Sequence, residues 1–303
     1  MSSRHSAIEV VLQRGSALVA ALPSSAQQRL GTMIGWVLRQ ALPRRWDITI
    51  ENLRRAFPAQ PSHWHQRIAR QSFANLGIVL AEVFAMARYP IERLRHLVRF
   101  EHTELIAQAA RQQRGVVLLS AHFGNWELTA LTLPLITDQP VTVITKRIKN
   151  PAVDHFIDQA RQRTGNQLVR AHRVGTIIPK IIRENRALAL LADQSARPEH
   201  DFYVPFFNIP TLTFRTPAVL ALRFGMPVII GFSERQPDGT YRVALEQLPT
   251  DDLPATEEGA KMLMQRYHQR LEAAIRRHPE QWLWQHRRWK HSPTSTASTP
   301  APV

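Results

Sequence analysis

The chain contains no cysteine. That absence excludes a disulfide framework, a thiolate zinc site, an iron–sulfur cluster and a cysteine nucleophile. It also lacks a Gly-x-Ser-x-Gly turn that would present a serine nucleophile, a His-Glu-x-x-His helix, a phosphate-cradling glycine loop and a dinucleotide fingerprint. No tight cluster of histidines or carboxylates follows the metal-ligand spacings, so no metal and no cofactor is expected. Long apolar runs are missing too. The longest candidate, Gly15 to Leu38, is broken by Pro23 and Arg29, with Ser24, Ser25, Gln27 and Gln28 between. A membrane-spanning helix wants about 20 predominantly apolar residues. The stretch before Ala20-Ala21-Leu22 carries Glu9 and Arg14 and does not read as a clean signal peptide. Lysine is scarce: five lysines stand beside 34 arginines.

What is present is a chain of 303 residues with 44% apolar side chains and a net charge of +15. The length allows one large domain or two ordinary ones, and either buries a core without staples. A surface so basic attracts polyanions: nucleic acid, anionic lipid headgroups or an acidic carrier protein. The arginine fork suits phosphate and carboxylate. Trp36, Ile34, Val37 and Leu38, flanked by Arg29, Arg39, Arg44 and Arg45, fit a segment lying in a headgroup boundary. The plainer alternative is an amphipathic helix packed on its own domain.

Residues 1–45 read as two short helical pieces ended by Pro43. Residues 62–87 carry a long helical pattern, with Ile68, Phe73, Leu76, Val79, Leu80, Val83 and Phe84 at three- and four-residue steps. After Gly115 the texture changes. Short continuous apolar runs occur at 116–119, 141–144, 187–191 and 228–232, as in strands buried on both faces. Helical stretches 151–164, 174–185 and 215–225 lie among them. The alternation predicts an α/β fold with a central, mostly parallel sheet flanked by helices, behind a helical, membrane-associated N-terminal region. Gly239 is expected to turn a hairpin between 228–235 and 241–247. Residues 256–278 return to helix. Three segments are expected: a membrane-associating helical segment over 1–45, an α/β domain over 46–291, and a disordered Ser/Thr/Pro/Ala tail over 292–303.

The first buried run ends at Ser120-Ala121-His122-Phe123-Gly124-Asn125-Trp126-Glu127. Ligand chemistry in open α/β sheets sits beyond the carboxyl ends of the strands. Five residues along one helix would set His122 and Glu127 about 140° apart, but a strand-to-helix turn at Gly124 can bring them together. A carboxylate on one ring nitrogen fixes the tautomer of a histidine that takes protons on the other. With no nucleophile in the chain, such a base would activate a hydroxyl brought by the substrate. The spacing alone also suits a structural histidine at a strand end. His63, His65, His96 and His102 read as solvated helix surface.

The stretch Ser-Ala-His-Phe-Gly-Asn-Trp-Glu-Leu resembles the active-site block of the bacterial lipid A biosynthesis (late, or secondary) acyltransferases, which belong to the wider lysophospholipid and glycerol-phosphate acyltransferase superfamily with its His-x4-Asp/Glu motif. Other blocks resemble the family's in order. They are Asn52-Leu53 with Ala56-Phe57-Pro58, Lys146-Arg147 with Asn150-Pro151, and Leu191-Ala192-Asp193-Gln194. Val204-Pro205-Phe206-Phe207 with Thr213, and Met226-Pro227-Val228, follow. The last runs from Pro279-Glu280-Gln281-Trp282-Leu283-Trp284 to His286-Arg287-Arg288-Trp289-Lys290. One departure is Asn208, where the family usually has glycine after the paired Phe.

The resemblance implies a glycerolphosphate-acyltransferase-like fold and an O-acyltransferase that moves an acyl chain from acyl carrier protein to a hydroxyl of a phosphorylated glycolipid, a lipid A precursor. The implied place is the cytoplasmic face of the inner membrane, against anionic lipids and without nucleic acid. In that reading His122 takes the hydroxyl proton and Glu127 holds His122. Asn125 or a backbone N–H of the turn serves the oxyanion, and Arg147 binds an acceptor phosphate. Asp193 orients Arg147 or Arg197 or caps a turn, and Arg197 is a second phosphate contact. Phe206, Phe207 and Phe214 would line an acyl channel or pack in the core. Trp282, Trp284 and Trp289, interleaved with Arg287, Arg288 and Lys290, suit a mixture of packing and membrane contact. Other acceptors, such as a lysophospholipid or an ornithine-type lipid, fit the same catalytic residues. A basic nucleic-acid-binding protein that stacks bases on these tryptophans is the remote alternative.

Overall fold

A computed structural model describes residues 2–292 of the chain. The tail expected over 292–303 lies, apart from Ser292, outside the described residues. Four helices come first: α1 (Ser2–Ala21), α2 (Ser24–Ala41), α3 (Pro43–Ala56) and α4 (Ser62–Met86). Pro43 begins α3 at its first turn, where the missing N–H of proline costs nothing. Then follow α5 (Ile91–Leu97), β1 (Val98–Glu101), α6 (Glu104–Ala110), β2 (Val116–Ser120), α7 (Trp126–Thr132), β3 (Val141–Thr145), α8 (Pro151–Gln162) and β4 (Gln167–Arg170). The chain continues through α9 (Val174–Arg183), β5 (Ala187–Leu191), β6 (Phe202–Phe206), β7 (Ile209–Thr213) and α10 (Thr216–Phe224). It closes with β8 (Val228–Ile230), β9 (Glu234–Arg235), β10 (Tyr241–Ala244), β11 (Glu246–Leu248) and α11 (Glu257–Arg277).

The main sheet has the order β11-β8-β2-β5-β3-β4. From β8 to β4 every neighbouring pair is parallel, and β11 joins β8 antiparallel. Strands β2 and β5 are buried on both faces, which is why their sequences run apolar without alternation. One face, with Val117, Leu119, Leu188 and Leu190, packs with α11 and the C-terminal tryptophans. The other, with Leu118, Ala189 and Val143, packs with α5, α6 and α7. Helix α4 serves both cores, its first half through Ile68 and Ala69 and its second through Val79, Val83 and Met86. It is long and apolar enough to cross a membrane by length and composition, and 61% of its apolar window is buried inside the protein.

The turn at Gly239 joins β9 to β10, not β8 to the strand that follows. The residues from 228 to 248 divide between two sheets. β10 pairs β9 and, in parallel, β1; β11 returns to the main sheet beside β8. The sequence pattern merged them because all are short. β6 and β7 form a separate hairpin. Its two turn residues, Phe207 and Asn208, have φ of 52° and 60°. Two positive φ values define the hairpin turn that matches strand twist, and asparagine tolerates this region as glycine does. Asn208 is therefore a substitution that the backbone accepts.

The N-terminal helices close on α4 through three glycines. A Cβ on Gly77 would lie 2.1 Å from the Gly31 carbonyl oxygen and 2.3 Å from the Gly35 nitrogen; one on Gly35 would lie 2.2 Å from the Phe73 oxygen. These neighbours are backbone and cannot rotate away. With Gly31 and Gly35 turned inward, α2 leaves Met33, Trp36 and Val37 exposed on its outer side. Gly77→Ala is expected to lower stability by about 2 kcal/mol through overpacking, read as a fall in the urea midpoint. Gly175→Ala in α9, where an added Cβ meets nothing within 4 Å, changes stability by less than about 1 kcal/mol, in the stabilising direction.

Candidate active site

Strands β2, β5 and β3 are adjacent and parallel, so their carboxyl ends share one edge of the sheet. His122 follows β2, Asp193 follows β5 and Lys146-Arg147 follows β3. After β2 the chain turns sharply at Gly124, whose φ is +55° and whose added Cβ would lie 1.7 Å from the Ser233 oxygen. Only glycine fits there. The turn is held from the C-terminal segment: Gly124 N–H donates to the Gln281 carbonyl, and Leu283 N–H donates to the His122 carbonyl.

Asp193 is 2% exposed and accepts three N–H groups. The His122 backbone N–H and the Trp282 indole donate to Oδ2 at 3.0 and 2.8 Å, and His122 Nδ1 lies 2.8 Å from Oδ1. Burial alone would push this carboxyl up. The charge of His122 and these hydrogen bonds outweigh it and hold the carboxyl at about 2. Ionised, Asp193 can only accept, so Nδ1 of His122 carries a proton, and in the base form of the ring Nε2 is a lone pair. Nε2 lies 3.1 Å from the carboxamide nitrogen of Gln194. The Trp126 ring stands edge-on to the imidazole, centroids 5.0 Å apart.

Glu127 does not supply the expected contact with Nδ1. Its carboxylate is held bidentate by Arg161 of α8, with Nε to Oε2 at 2.8 Å and Nη2 to Oε1 at 2.6 Å. The ion pairs continue from Arg161 to Asp158, from there to Arg170, and on to Asp154. The turn at Gly124 starts α7 and points Glu127 toward α8. The carboxylate on the histidine comes instead from the end of the adjacent strand, 71 residues away.

Asn125 is fully buried and structural. As the N-cap of α7 it accepts from Leu128 N–H, and its Nδ2 donates to Glu82 at 2.7 Å. Glu82 also accepts from the Tyr241 hydroxyl and from Arg235. The side chain of Asn125 is thus not free to meet a substrate. Arg147 is 79% exposed beyond β3, with its Nε 3.9 Å from Asp154. Arg197 is exposed, and its backbone N–H donates to Asp201. Asp193 touches neither arginine among its hydrogen-bond partners; it serves the histidine.

The aromatic residues take the packing half of the expectation. Trp282, Trp284 and Trp289 are at most 4% exposed, so they pack and do not reach a membrane boundary or stack on nucleic acid. Phe206 and Phe207 are buried among them. Among the C-terminal basic residues, Arg288 is buried and donates to the Gln194 and Leu212 carbonyls, while Arg287 and Lys290 remain exposed. His65 is also buried, its Nε2 2.9 Å from the Phe57 carbonyl oxygen. The apolar space lies on the opposite sheet face from the tryptophans. A narrow slot runs between α7 and the sheet. Leu118, Ala130, Val143, Ala189 and Val243 line it, and Trp126, Glu127 and Arg161 stand among its wall residues. Among the described residues no group of three His, Asp or Glu side chains could hold a metal.

Sequence reasoning missed Gln194, Trp282 as a donor, and His286, whose Nε2 accepts from Ser195 N–H. All three lie in the blocks that carried the family resemblance, but their contacts are long-range.

A model of the family described as bacterial lipid A biosynthesis acyltransferase matches residues 7–291. The chain is 26% identical over 275 residues to the lipid A biosynthesis palmitoleoyltransferase of Escherichia coli K12, covering 89% of this chain and 86% of that one. It is 24% identical over 283 residues to the lipid A biosynthesis lauroyltransferase of the same organism, covering 93% and 90%. To a lipid A biosynthesis acyltransferase of Haemophilus influenzae it is 23% identical over 279 residues, covering 91% and 88%.

Two predictions follow from the geometry. Asp193→Asn keeps the volume but sets an amide against three donors and destabilises the Nδ1–H tautomer. Steady-state kinetics of the folded variant should show turnover lower by on the order of 10³-fold or more, as for other histidine-orienting carboxylates. The second concerns acid. Burial, then Arg288, lowers His268 to about 3, and burial foremost lowers His286 to about 4, against 6.5 for a free histidine. Below pH 6.5 the unfolded chain binds these protons first, so stability falls with falling pH, by up to about 1.4 kcal/mol per pH unit for each group. Asp193 acts lower, its contribution being lost between its free value of 3.8 and about 2. Urea midpoints measured from pH 8 to 4 should be flat above pH 7 and then decline.

Proposed function

Because the chain belongs to the bacterial lipid A biosynthesis acyltransferase family and is an acyltransferase, we propose that it moves a fatty acyl chain from acyl carrier protein to a hydroxyl of a lipid A precursor, at the cytoplasmic face of the inner membrane. The observation that carries this reading is the His122–Asp193 pair, whose imidazole stands beside Trp126, a wall residue of the apolar slot. The His122-x4-Glu127 spacing supports the wider kinship with lysophospholipid and glycerol-phosphate acyltransferases.

In the proposed reaction the acceptor hydroxyl approaches Nε2 of His122 and gives up its proton as its oxygen bonds to the thioester carbon. The carbonyl electron pair moves onto oxygen. The imidazolium that forms is stabilised by Asp193, already ionised and oriented. Collapse of the tetrahedral intermediate re-forms the carbonyl and breaks the C–S bond. The thiolate then takes the proton from His122, and the base is restored. The acyl tail occupies the slot between α7 and the sheet, where apolar walls replace water. Glu127 acts by fixing Arg161 at the wall of that slot.

On the loops after β3 and β5 and in the C-terminal segment, Lys146, Arg147, Arg197, Arg287 and Lys290 are exposed. Arginine forks orient phosphate as well as attract it, which suits a phosphorylated acceptor, and the positive charge suits an acidic carrier protein. Val11 and Leu18 of α1 and Met33, Trp36 and Val37 of α2 are exposed. Such apolar side chains among arginines favour attachment to an anionic lipid surface.

The test is a transfer assay with acyl carrier protein as donor and tetra-acylated lipid A precursor as acceptor, read by mass spectrometry. Wild type should add the mass of one acyl chain, and folded His122→Ala should add none. Full activity in folded His122→Ala would sink the mechanism.

A further inference from the structure

The reaction proposed above needs a donor for the oxyanion, and the Asn125 side chain and the N–H groups of residues 122–124 are already engaged. Asn125 is buried between Glu82 and Leu128 N–H. In the turn, His122 N–H is given to Asp193, Phe123 N–H to the Ala121 carbonyl and Gly124 N–H to the Gln281 carbonyl. Ser195 N–H is given to His286. One polar side chain remains in contact with the reactive nitrogen. Gln194 is partly exposed, and among the described residues its carboxamide has a single hydrogen-bond partner, Nε2 of His122 at 3.1 Å.

We propose that Gln194 is a catalytic residue: its carboxamide N–H holds the place of the acceptor hydroxyl on His122 Nε2 and then donates to the oxyanion as acyl transfer proceeds. The inference rests on the acyl-transfer reading. Asp193 forces the proton onto Nδ1, so a lone pair on Nε2 faces Gln194 and the amide must present its NH₂ there. An incoming hydroxyl needs the same lone pair and displaces the amide by about the width of one atom. When the proton passes to Nε2, that nitrogen becomes a donor and can no longer accept from Gln194. In the same step the negative charge appears on the former carbonyl oxygen, which shares its carbon with the attacking oxygen. The released N–H is then within a side-chain rotation of the new acceptor. Thus the hydroxyl that displaces the amide leaves it free to meet the oxyanion formed in the next step, and proton transfer to Nε2 bars its return, an interaction stronger in the transition state than in the ground state.

The backbone around Gln194 is fixed for this task. The preceding residue is locked by His122 and Trp282, the following N–H by His286, and the carbonyl of Gln194 itself accepts from buried Arg288 at 3.3 Å. Only the side chain is left to move.

The experiment compares wild type, Gln194→Met, Gln194→Ala and His122→Ala in the same transfer assay, with equal urea midpoints as the check on folding. Methionine keeps the length and shape of glutamine and removes the N–H. The expected result is kcat lower by about 10²-fold or more in both Gln194 variants, with KM for donor and acceptor within a few-fold of wild type. A second readout uses a donor whose carbonyl oxygen is replaced by sulfur, a poorer acceptor. Wild type should slow on this donor, and Gln194→Met should show much less discrimination between the two. Wild-type kcat in Gln194→Met, or a loss confined to acceptor KM, overturns the proposal and leaves the acyl-transfer reading standing. A wild-type enzyme that transfers no acyl chain removes that reading, and the proposal with it.

Discussion

The structure depends on one buried carboxylate. Asp193 has almost no access to water, and an ionised group there survives only if its lone pairs are filled. Three N–H groups engage them, two from His122 and one from Trp282. One is the backbone of the turn after β2, one is the imidazole, and one is the indole of Trp282 near the end of the chain. The same contacts that keep Asp193 charged therefore set the turn, the tautomer and the return of the C-terminal segment. That segment cannot be peripheral. Its indoles pack behind the site, and Arg288, lowered by burial to about 10, ties it to the loop after β5.

Two further carboxylates nearby, Glu82 buried and Glu127 half-buried, do different work. Glu82 of α4 gathers Asn125, Tyr241 and Arg235 and so pins the start of α7 to the N-terminal helices. Glu127 is claimed by Arg161 and joins the chain of ion pairs that runs across α8. Each acid is matched to its own donors, so the charges do not compete for His122. Removing one partner from any of these sets would leave a buried charge behind, which costs more than the pair itself contributes.

Much of this was readable from the residues in order. The runs at 116–119, 141–144, 187–191 and 228–232 are strands because side chains covered on both faces leave an unbroken apolar signature. The periodicity of 62–87 is helix α4. His122 stands at a strand end, and Gly124 has the backbone that the turn needed. What was misread is what depends on distance in space. Glu127 looked like the partner of His122 because it is close in sequence, whereas strand order puts Asp193 there. The tryptophans among arginines suited both packing and a boundary, since local composition cannot tell an aromatic facing lipid from one facing its own core. β4, with four residues, and the β6–β7 hairpin, with prolines in both strands, gave no clear period.

The two faces of the sheet explain why the site sits where it does. One face is filled by tryptophans and α11 and is closed; the other keeps a narrow apolar slot under α7. His122 lies at the edge that both faces share, beside exposed basic residues. An acyl thioester has an apolar tail and a polar reacting end, and a phosphorylated glycolipid has its charge near its hydroxyls. For the reaction proposed, such an edge lets a tail be withdrawn from water while a charged acceptor stays solvated and within reach of the same nitrogen. The rigid packing behind Asp193 then has a chemical consequence. With the imidazole, the turn and the loop backbone all fixed, the side chain on His122 Nε2 is the part of the site that can respond as charge moves. Preorganisation thus concentrates the adjustment in one carboxamide.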